Sequence, residues 1–87
     1  MTDTDSSTLI SNLDKIHTTD LGVQRIKNNL SLDTEKVVEY CKEMIKDSAS
    51  DIYRRGKNWY IEKDNCVITV NAYSYTIITA HKKKYYT

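Results

Sequence analysis

The sequence predicts an α+β domain, with two to three N-terminal helices packed on one face of a four-stranded antiparallel sheet. Apolar residues recur about every 3.6 positions in the first half of the chain and alternate with a period of two from Ile52 onward. With 87 residues, 39% hydrophobic and 29% charged, the chain is long enough for one core and too short for two. We expect a disordered tail over residues 1–7 and one domain over residues 8–84.

Three helices are predicted before residue 50. Asp20 opens the second helix, where a carboxylate meets the positive end of the helix dipole. Asp33 is the predicted N-cap of the third helix, and Leu32 is expected to pack against Val37 as a hydrophobic staple. The three apolar stripes are Leu9, Leu13 and Ile16; Val23, Ile26 and Leu30; and Val37, Cys41, Met44 and Ile45. Because the chain is too small for a second sheet, these stripes should cover one face of the only sheet.

Turn residues divide the rest of the chain into four short strands that are predicted to form a meander. The first strand begins at Ile52, and the other three read NWYIE, CVITVN and YTIITAHK. The turn signals between them are Gly56 to Asn58, Asp64 with Asn65, and Asn71 to Ser74. No proline interrupts any of these strands.

Charge and aromatic residues are distributed unevenly between the two halves of the chain. Residues 1–50 hold six Lys/Arg against nine Asp/Glu, a net charge of −3, whereas residues 51–87 hold seven against three, a net charge of +4. Six of the seven tyrosines and the only tryptophan also lie in the second half. Basic and aromatic residues together are typical of surfaces that contact phosphates and bases. They are equally compatible with good strand formers and with lysines that keep a sheet edge soluble.

The odd-numbered residues of the last two strands are more polar than the even-numbered ones and are expected to form the open face of the sheet. They are Val67, Thr69, Asn71, Tyr75, Ile77, Thr79 and His81. On this face we predict His81, Thr79 and Arg55 as catalytic residues. The predicted binding residues are Arg54, Lys57, Asn71, Tyr73, Tyr75, Lys82 and Lys83.

These residue types suit metal-independent chemistry on RNA. Imidazole titrates near neutrality, so His81 could exchange a proton with the 2′-hydroxyl or the leaving 5′-oxygen. Arginine and lysine would stabilise the charge that develops on phosphorus. The alternative is a structural role for both histidines: His81 would be a hydrogen-bonded residue at the end of a strand, and His17 a turn or capping group between the first two helices.

Other chemistries have weaker support in the sequence, and we expect no metal and no cofactor. Glu39 and Glu43 are one helical turn apart among lysines, which is typical of a solvated face rather than of an acid–base pair. Cys41 and Cys66 have no metal-binding spacing and are expected to be buried free thiols. The acidic third helix argues against a helix-turn-helix that reads DNA. No apolar run approaches the roughly 20 residues that span a bilayer, so we expect a cytoplasmic protein that does not contact membranes.

Two segments resemble a known family. KIHTTDLGVQRIKNNLSL near the start, and NWYIE with ITVNAYSYTIITAHK near the end, resemble an uncharacterised family of short bacterial proteins known only as a domain of unknown function. The resemblance covers roughly residues 12–83, and TVNAYSYTIITAHK is its most specific part. It implies no activity. A weaker topological resemblance to the barnase, EndoU, colicin and RelE ribonucleases would place active residues on the open face, although no second histidine or general-base glutamate is clearly assigned there. Glu62 could point to either face.

Three functions remain compatible with these observations. The first is an RNA-directed role, either cleavage or binding, through the open face and the basic second half. The second is a protein-binding inhibitor or regulator encoded by a mobile element, which would dock through the open face or the edge of the fourth strand. The third is a nucleotide-binding module without chemistry. An edge-strand dimer is compatible with all three.

Overall fold

The protein folds as three helices packed on one face of a four-stranded antiparallel sheet, which confirms the predicted α+β class. The computed structural model describes residues 6–83. The helices are α1 (Ser6–Ser11), α2 (Asp20–Asn29) and α3 (Val37–Lys46), with a 3₁₀ turn at Leu13–Lys15. The strands are β1 (Asp51–Arg55), β2 (Asn58–Lys63), β3 (Cys66–Asn71) and β4 (Ile77–Lys82). Within the described part of the chain, no helix is long and apolar enough to cross a membrane.

The ends of the predicted domain lie at the limits of the described residues. Residues 1–5 of the predicted tail and residue 84 are outside them. Ser6 and Ser7, which the prediction assigned to the tail, are the first two residues of α1. The first helix is also shorter than its stripe indicated, since α1 ends at Ser11 and a 3₁₀ turn follows.

The second and third helices begin differently. Thr19 caps α2 by accepting a hydrogen bond from the Gly22 N–H at 3.0 Å, and Asp20 lies in its first turn as predicted. The predicted N-cap Asp33 does not cap α3, which begins four residues later at Val37. Instead, the Thr34 hydroxyl accepts from the Lys36 N–H at 3.1 Å, which satisfies a backbone donor just before the helix.

The sheet is a meander in the order β1-β2-β3-β4. β3 has the predicted bounds, and β2 is one residue longer than predicted. β4 begins at Ile77 rather than at Tyr75 because Asn71 to Thr76 form a closed loop, in which the Asn71 N–H donates to the Thr76 carbonyl at 2.9 Å. Tyr75 has a positive φ of 61°, which an extended strand does not accommodate.

A bulge between β3 and β4 corrects the predicted open face. Thr69 pairs with Thr79 and Val70 with Ile77, so Ile78 is an extra residue on β4. The extra residue reverses the alternation, and Ile77 therefore lies in the core with 2% of its surface exposed rather than on the open face. Tyr75 was also placed on the open face by the prediction, but it packs against the core.

The core lies between the helices and the sheet. Its fully buried side chains come from every helix and from three strands: Leu9, Ile26, Val37, Cys41, Ile45, Ile61, Ile68, Val70, Ile77 and Ala80. Cys41 and Cys66 are both buried and free, as predicted. Burial raises the pKa of the Cys41 thiol to about 12, so this sulfur is not a nucleophile at neutral pH.

Candidate functional site

Three cross-strand rows of side chains form the open face of the sheet. Their positions alternate along each strand with the buried residues that face the helices. The rows are Asp51–Glu62–Val67–His81, Tyr53–Tyr60–Thr69–Thr79 and Arg55–Asn58–Asn71. The predicted open-face residues Val67, Thr69, Asn71, Thr79 and His81 are all among them.

The predicted catalytic residues fall into two separate places. Thr79 and His81 are two positions apart on β4 and both line a wide depression of about 590 Å³, with Asn29, Lys82 and Lys83. His81 is exposed, and its Nδ1 lies 3.1 Å from the Lys82 carbonyl oxygen. Arg55 is at the opposite end of the sheet and three strands away. Strand rise and spacing put the backbones of Arg55 and His81 roughly 20 Å apart, too far for one site.

Glu62 lies on the open face, which the sequence left undecided. Its carboxylate accepts a hydrogen bond from the Tyr53 hydroxyl at 2.5 Å and pairs with the Lys83 ammonium at 2.7 Å. The hydrogen bonds from Lys83 and from Tyr53 lower the pKa of Glu62, while the bond to Glu62 raises the pKa of Tyr53. Lys83, predicted to bind, is therefore engaged by a carboxylate in this structure.

The register of the β1–β2 hairpin determines on which face of the sheet Glu62 lies. Gly56 and Lys57 form a two-residue turn, so Arg55 pairs with Asn58 and Asp51 pairs with Glu62. Tyr53 and Tyr60 face each other on the same side, with ring centroids 5.5 Å apart. The length of this turn was visible in the sequence, and counting pairs back from it would have placed Glu62 beside Tyr53 on the open face.

Arg54 and Arg55 point to opposite faces of β1. The Arg55 guanidinium lies 5.7 Å from the Tyr53 ring on the open face. The Arg54 guanidinium lies 5.4 Å from the Trp59 ring and 5.7 Å from the Tyr73 ring. Trp59 is in the core with 3% of its surface exposed, whereas Tyr73 is 72% exposed. Arg54 thus connects a buried ring to an exposed one.

These contacts continue into a cluster at the hairpin end of the sheet. The Tyr75 ring lies 5.7 Å from Trp59, and the Lys15 ammonium lies 5.8 Å from the Tyr75 ring. The line runs Tyr73–Arg54–Trp59–Tyr75–Lys15, in which the Trp59–Tyr75 contact joins two rings and the other three contacts lie within the range of cation–π attraction. We call this surface the basic–aromatic end. It comprises Lys15, Arg54, Arg55, Lys57, Trp59, Tyr73 and Tyr75.

Backbone hydrogen bonds hold the loops of the basic–aromatic end together. The Ala72 N–H donates to the Lys57 carbonyl at 2.7 Å, which joins the β3–β4 loop to the hairpin turn. The Asn71 side-chain oxygen accepts from the N–H groups of Tyr73 and Ser74, each at 2.9 Å. Asn71, predicted to bind a ligand, has its side-chain oxygen occupied in the turn that presents Tyr73.

His17 attaches the segment before α2 to the same loop. It forms a parallel bridge with Thr76; its ring Nδ1–H donates to the Lys15 carbonyl at 2.8 Å, and its Nε2 lies 3.1 Å from the Thr76 hydroxyl. The sequence predicted a turn or capping group between the first two helices; His17 lies there, its ring binds the Lys15 carbonyl at the end of the 3₁₀ turn, and its backbone also bridges to Thr76, just before β4.

Comparison with known proteins identifies the family. A family model described as "Protein of unknown function (DUF3781)" matches residues 10–81, which include every residue of the basic–aromatic end and of the three open-face rows. The chain belongs to this DUF3781 family. Neither a curated protein nor a solved structure matches the chain significantly. The predicted membership in a domain family of unknown function is confirmed, and the family description names no activity.

The basic–aromatic end of this DUF3781 domain carries positive charge that nearby carboxylates do not neutralise. Within residues 6–83, none of its four cations forms a salt bridge, whereas Lys27, Lys46, Lys63 and Lys83 all do. The three segments that meet there, residues 15–18, 55–58 and 71–76, contain no Asp or Glu. Metal chemistry has no such support, since the described residues include no group of three or more His, Cys, Asp or Glu that could hold an ion.

Proposed function

We propose that this DUF3781 domain binds single-stranded RNA through its basic–aromatic end. The observation that carries the proposal is the placement of Arg54 between the buried Trp59 ring and the exposed Tyr73 ring, next to three further cations without salt bridges in residues 6–83. Unpaired bases stack on exposed aromatic rings, and the phosphates that connect them are attracted by the cations alongside. Both requirements are met within one small surface.

The proposal predicts the free energy of base stacking and the salt dependence of binding. Stacking of a base on Tyr73 should contribute about 1–3 kcal/mol, with little dependence on sequence because every base has a π-face. Each phosphate contact on a single strand contributes about −0.7 to the slope of log K against log salt, so contacts from Lys15, Arg54 and Lys57 would give a slope near −2. Rigid loops favour binding, because Tyr73 is already held by Asn71 before RNA arrives.

The test is fluorescence anisotropy with a labelled single-stranded RNA, titrated from about 50 to about 200 mM NaCl. Lys57→Glu and Tyr73→Ala change exposed side chains, so both variants should keep the fold. We expect Lys57→Glu to weaken binding and reduce the salt slope, because it removes a phosphate contact. Tyr73→Ala should weaken binding by about tenfold or more with the salt slope unchanged, because it removes stacking only.

Lys82→Glu is the matched control, since Lys82 is exposed, makes no salt bridge within residues 6–83 and lies at the other end of the sheet. It should bind RNA nearly as well as the natural sequence. An equal loss in Lys82→Glu and Lys57→Glu would assign binding to the lysines after β4 instead. Absence of salt-sensitive binding would reject an RNA role and favour a protein partner.

RNA cleavage at the open face is the second candidate, supported by the finding that Glu62 and His81 lie in one cross-strand row. In EDTA, incubation with total RNA and with transfer RNA should give discrete fragments that His81→Ala abolishes. His17→Gln is the control, because it changes the only other histidine in the chain, at the opposite end of the sheet. Unchanged cleavage in His81→Ala would remove His81 from the mechanism.

A cytoplasmic location forms part of the proposal, and the two free thiols agree with a reducing compartment.

A further inference from the structure

The two edges of the sheet differ in the hydrogen bonds that other segments make to their outer sides. The outer edge of β4 is covered: the Ile77 N–H donates to the His17 carbonyl at 2.8 Å, the Thr18 hydroxyl donates to the Ile77 carbonyl at 3.3 Å, and the Asn29 amide donates to the Ala80 carbonyl at 3.1 Å. These hydrogen bonds make the edge of β4 a less favourable docking edge than that of β1. Among the described residues, β1 pairs with β2 alone, and none of their backbone–backbone hydrogen bonds outside the helices and the sheet reaches its outer side.

The hairpin turn determines which groups β1 presents outward. In a two-residue hairpin the residues that flank the turn form a hydrogen-bonded pair, and such pairs alternate along an antiparallel ladder. Arg55, Tyr53 and Asp51 therefore direct their N–H and C=O groups toward β2. Ile52 and Arg54 direct theirs outward. An unpaired edge with these free groups is a template for another strand.

The strand β1, DIYRR, has an acidic residue at one end and a basic residue at the other, so two antiparallel copies would place opposite charges side by side. Two antiparallel copies centred on Tyr53 place Ile52 opposite Arg54 of the second copy, which pairs the outward N–H and C=O groups of both strands. The same register places Asp51 opposite Arg55 of the second copy, twice. These are non-hydrogen-bonded positions, where the Cα atoms approach to about 4.5 Å and the side chains are closest.

Both charged residues are available for such contacts. Asp51 and Arg55 are exposed, and neither forms a salt bridge within the described residues. On the open face, the two Tyr53 rings would meet at the two-fold axis and extend the Tyr53–Tyr60 stack into a row of four rings. The smallest slip that still pairs the outward N–H and C=O groups is two residues; it would place Tyr53 opposite Asp51 or Arg55 of the second copy and lose both Asp51–Arg55 pairs, so the charges also select the register.

We infer that β1 is a homodimerisation edge, at which a second copy of this chain adds its own β1 antiparallel to form a continuous eight-stranded sheet. The partner is a second copy rather than another protein because the Asp51–Arg55 pairs arise from the chain's own sequence, twice, about one two-fold axis.

Sedimentation equilibrium without RNA tests this inference by mass. The natural sequence should shift with concentration from 10.1 kDa toward twice that value. Asp51→Arg and Arg55→Asp should each weaken self-association at least about tenfold, because both ion pairs become like-charge pairs. The double variant Asp51→Arg/Arg55→Asp restores opposite charges across the axis and should dimerise again. Its net charge equals that of the natural sequence, which excludes a general charge effect.

Two results would overturn the inference. One is a mass that stays at 10.1 kDa at the highest concentration reached. The other is a dimer that both single variants retain, which would place the interface elsewhere. Circular dichroism of each variant confirms that the monomer remains folded. The readout is independent of RNA, so a change in RNA binding by the Arg55 variant has no effect on the result.

Discussion

Gly22, in the first turn of α2, lies where that helix passes closest to the threonines before it. A Cβ at this position would overlap the Thr18 hydroxyl oxygen and would lie 3.3 Å from the Thr19 hydroxyl oxygen. Both hydroxyls are in use: Thr18 donates to the Ile77 carbonyl and Thr19 caps the helix. Because the side chain of Gly22 is only a hydrogen atom, Thr19 can cap α2 while Thr18 attaches the start of the helix to the edge of β4.

Gly22→Ala should destabilise the fold, although alanine is the better helix former by about 1 kcal/mol. The methyl group must displace the Thr18 hydroxyl, which breaks its bond to Ile77 and crowds the cap, and overpacking of this kind costs about 1–3 kcal/mol. Urea denaturation followed by circular dichroism measures the change in unfolding free energy. Asn28→Ala, an exposed change in the same helix, is the control and should be neutral or slightly stabilising. A stabilised Gly22→Ala would show that Thr18 moves aside without loss.

At the scale of elements, local pattern predicted the interior strands and failed where distant pairing decides the structure. β3 was placed correctly because its apolar residues alternate and turn residues bound it on both sides. The phase of β4 could not be read locally, since the bulge at Ile78 arises from the pairing of Thr69 and Val70 with the next strand. The start of α3 was missed because Asp33 is a favourable N-cap by type, whereas the helix begins at Val37 with Lys36 at the N-cap and no side-chain cap.

The candidate surface was only partly predictable for the same reason. Alternation placed Thr79 and His81 on one face correctly, and the same rule separates Arg54 from Arg55, which the prediction grouped together. The contact of Arg54 with Trp59 and Tyr73 joins β1, β2 and the β3–β4 loop. Arg54 and Trp59 are paired across the two-residue hairpin, so counting from its turn indicates their contact, whereas Tyr73 is distant in sequence and meets Arg54 only once the sheet has formed.

At the scale of the whole molecule, three of the ion pairs among the described residues join different elements of the fold. Lys27 of α2 pairs with Glu35 before α3, Asp47 after α3 pairs with Lys63 of β2, and Glu62 of β2 pairs with Lys83 after β4. In each case a hydrogen bond from the partner lysine is the largest cause that lowers the pKa of the carboxylate. All three pairs are at the surface, so each is expected to contribute modestly.

The lowered pKa values predict how stability depends on pH. A carboxylate with a lower pKa in the folded state than in the unfolded state stabilises the fold above its unfolded pKa, about 4 for Asp and Glu, and loses that contribution as pH falls through the folded pKa. Urea midpoints should therefore be steady near neutrality and fall below about pH 4.

Glu62→Gln keeps the shape of the side chain but removes its titration, so it should lower the urea midpoint at neutral pH and make the loss of stability in acid shallower. Glu39→Gln, an exposed carboxylate on α3 without a salt bridge in the described residues, is the control and should leave the profile unchanged. If Glu62→Gln and the natural sequence lose stability in parallel, the Glu62–Lys83 pair contributes nothing to acid stability, and the connection from β2 to the residue after β4 depends on the backbone alone.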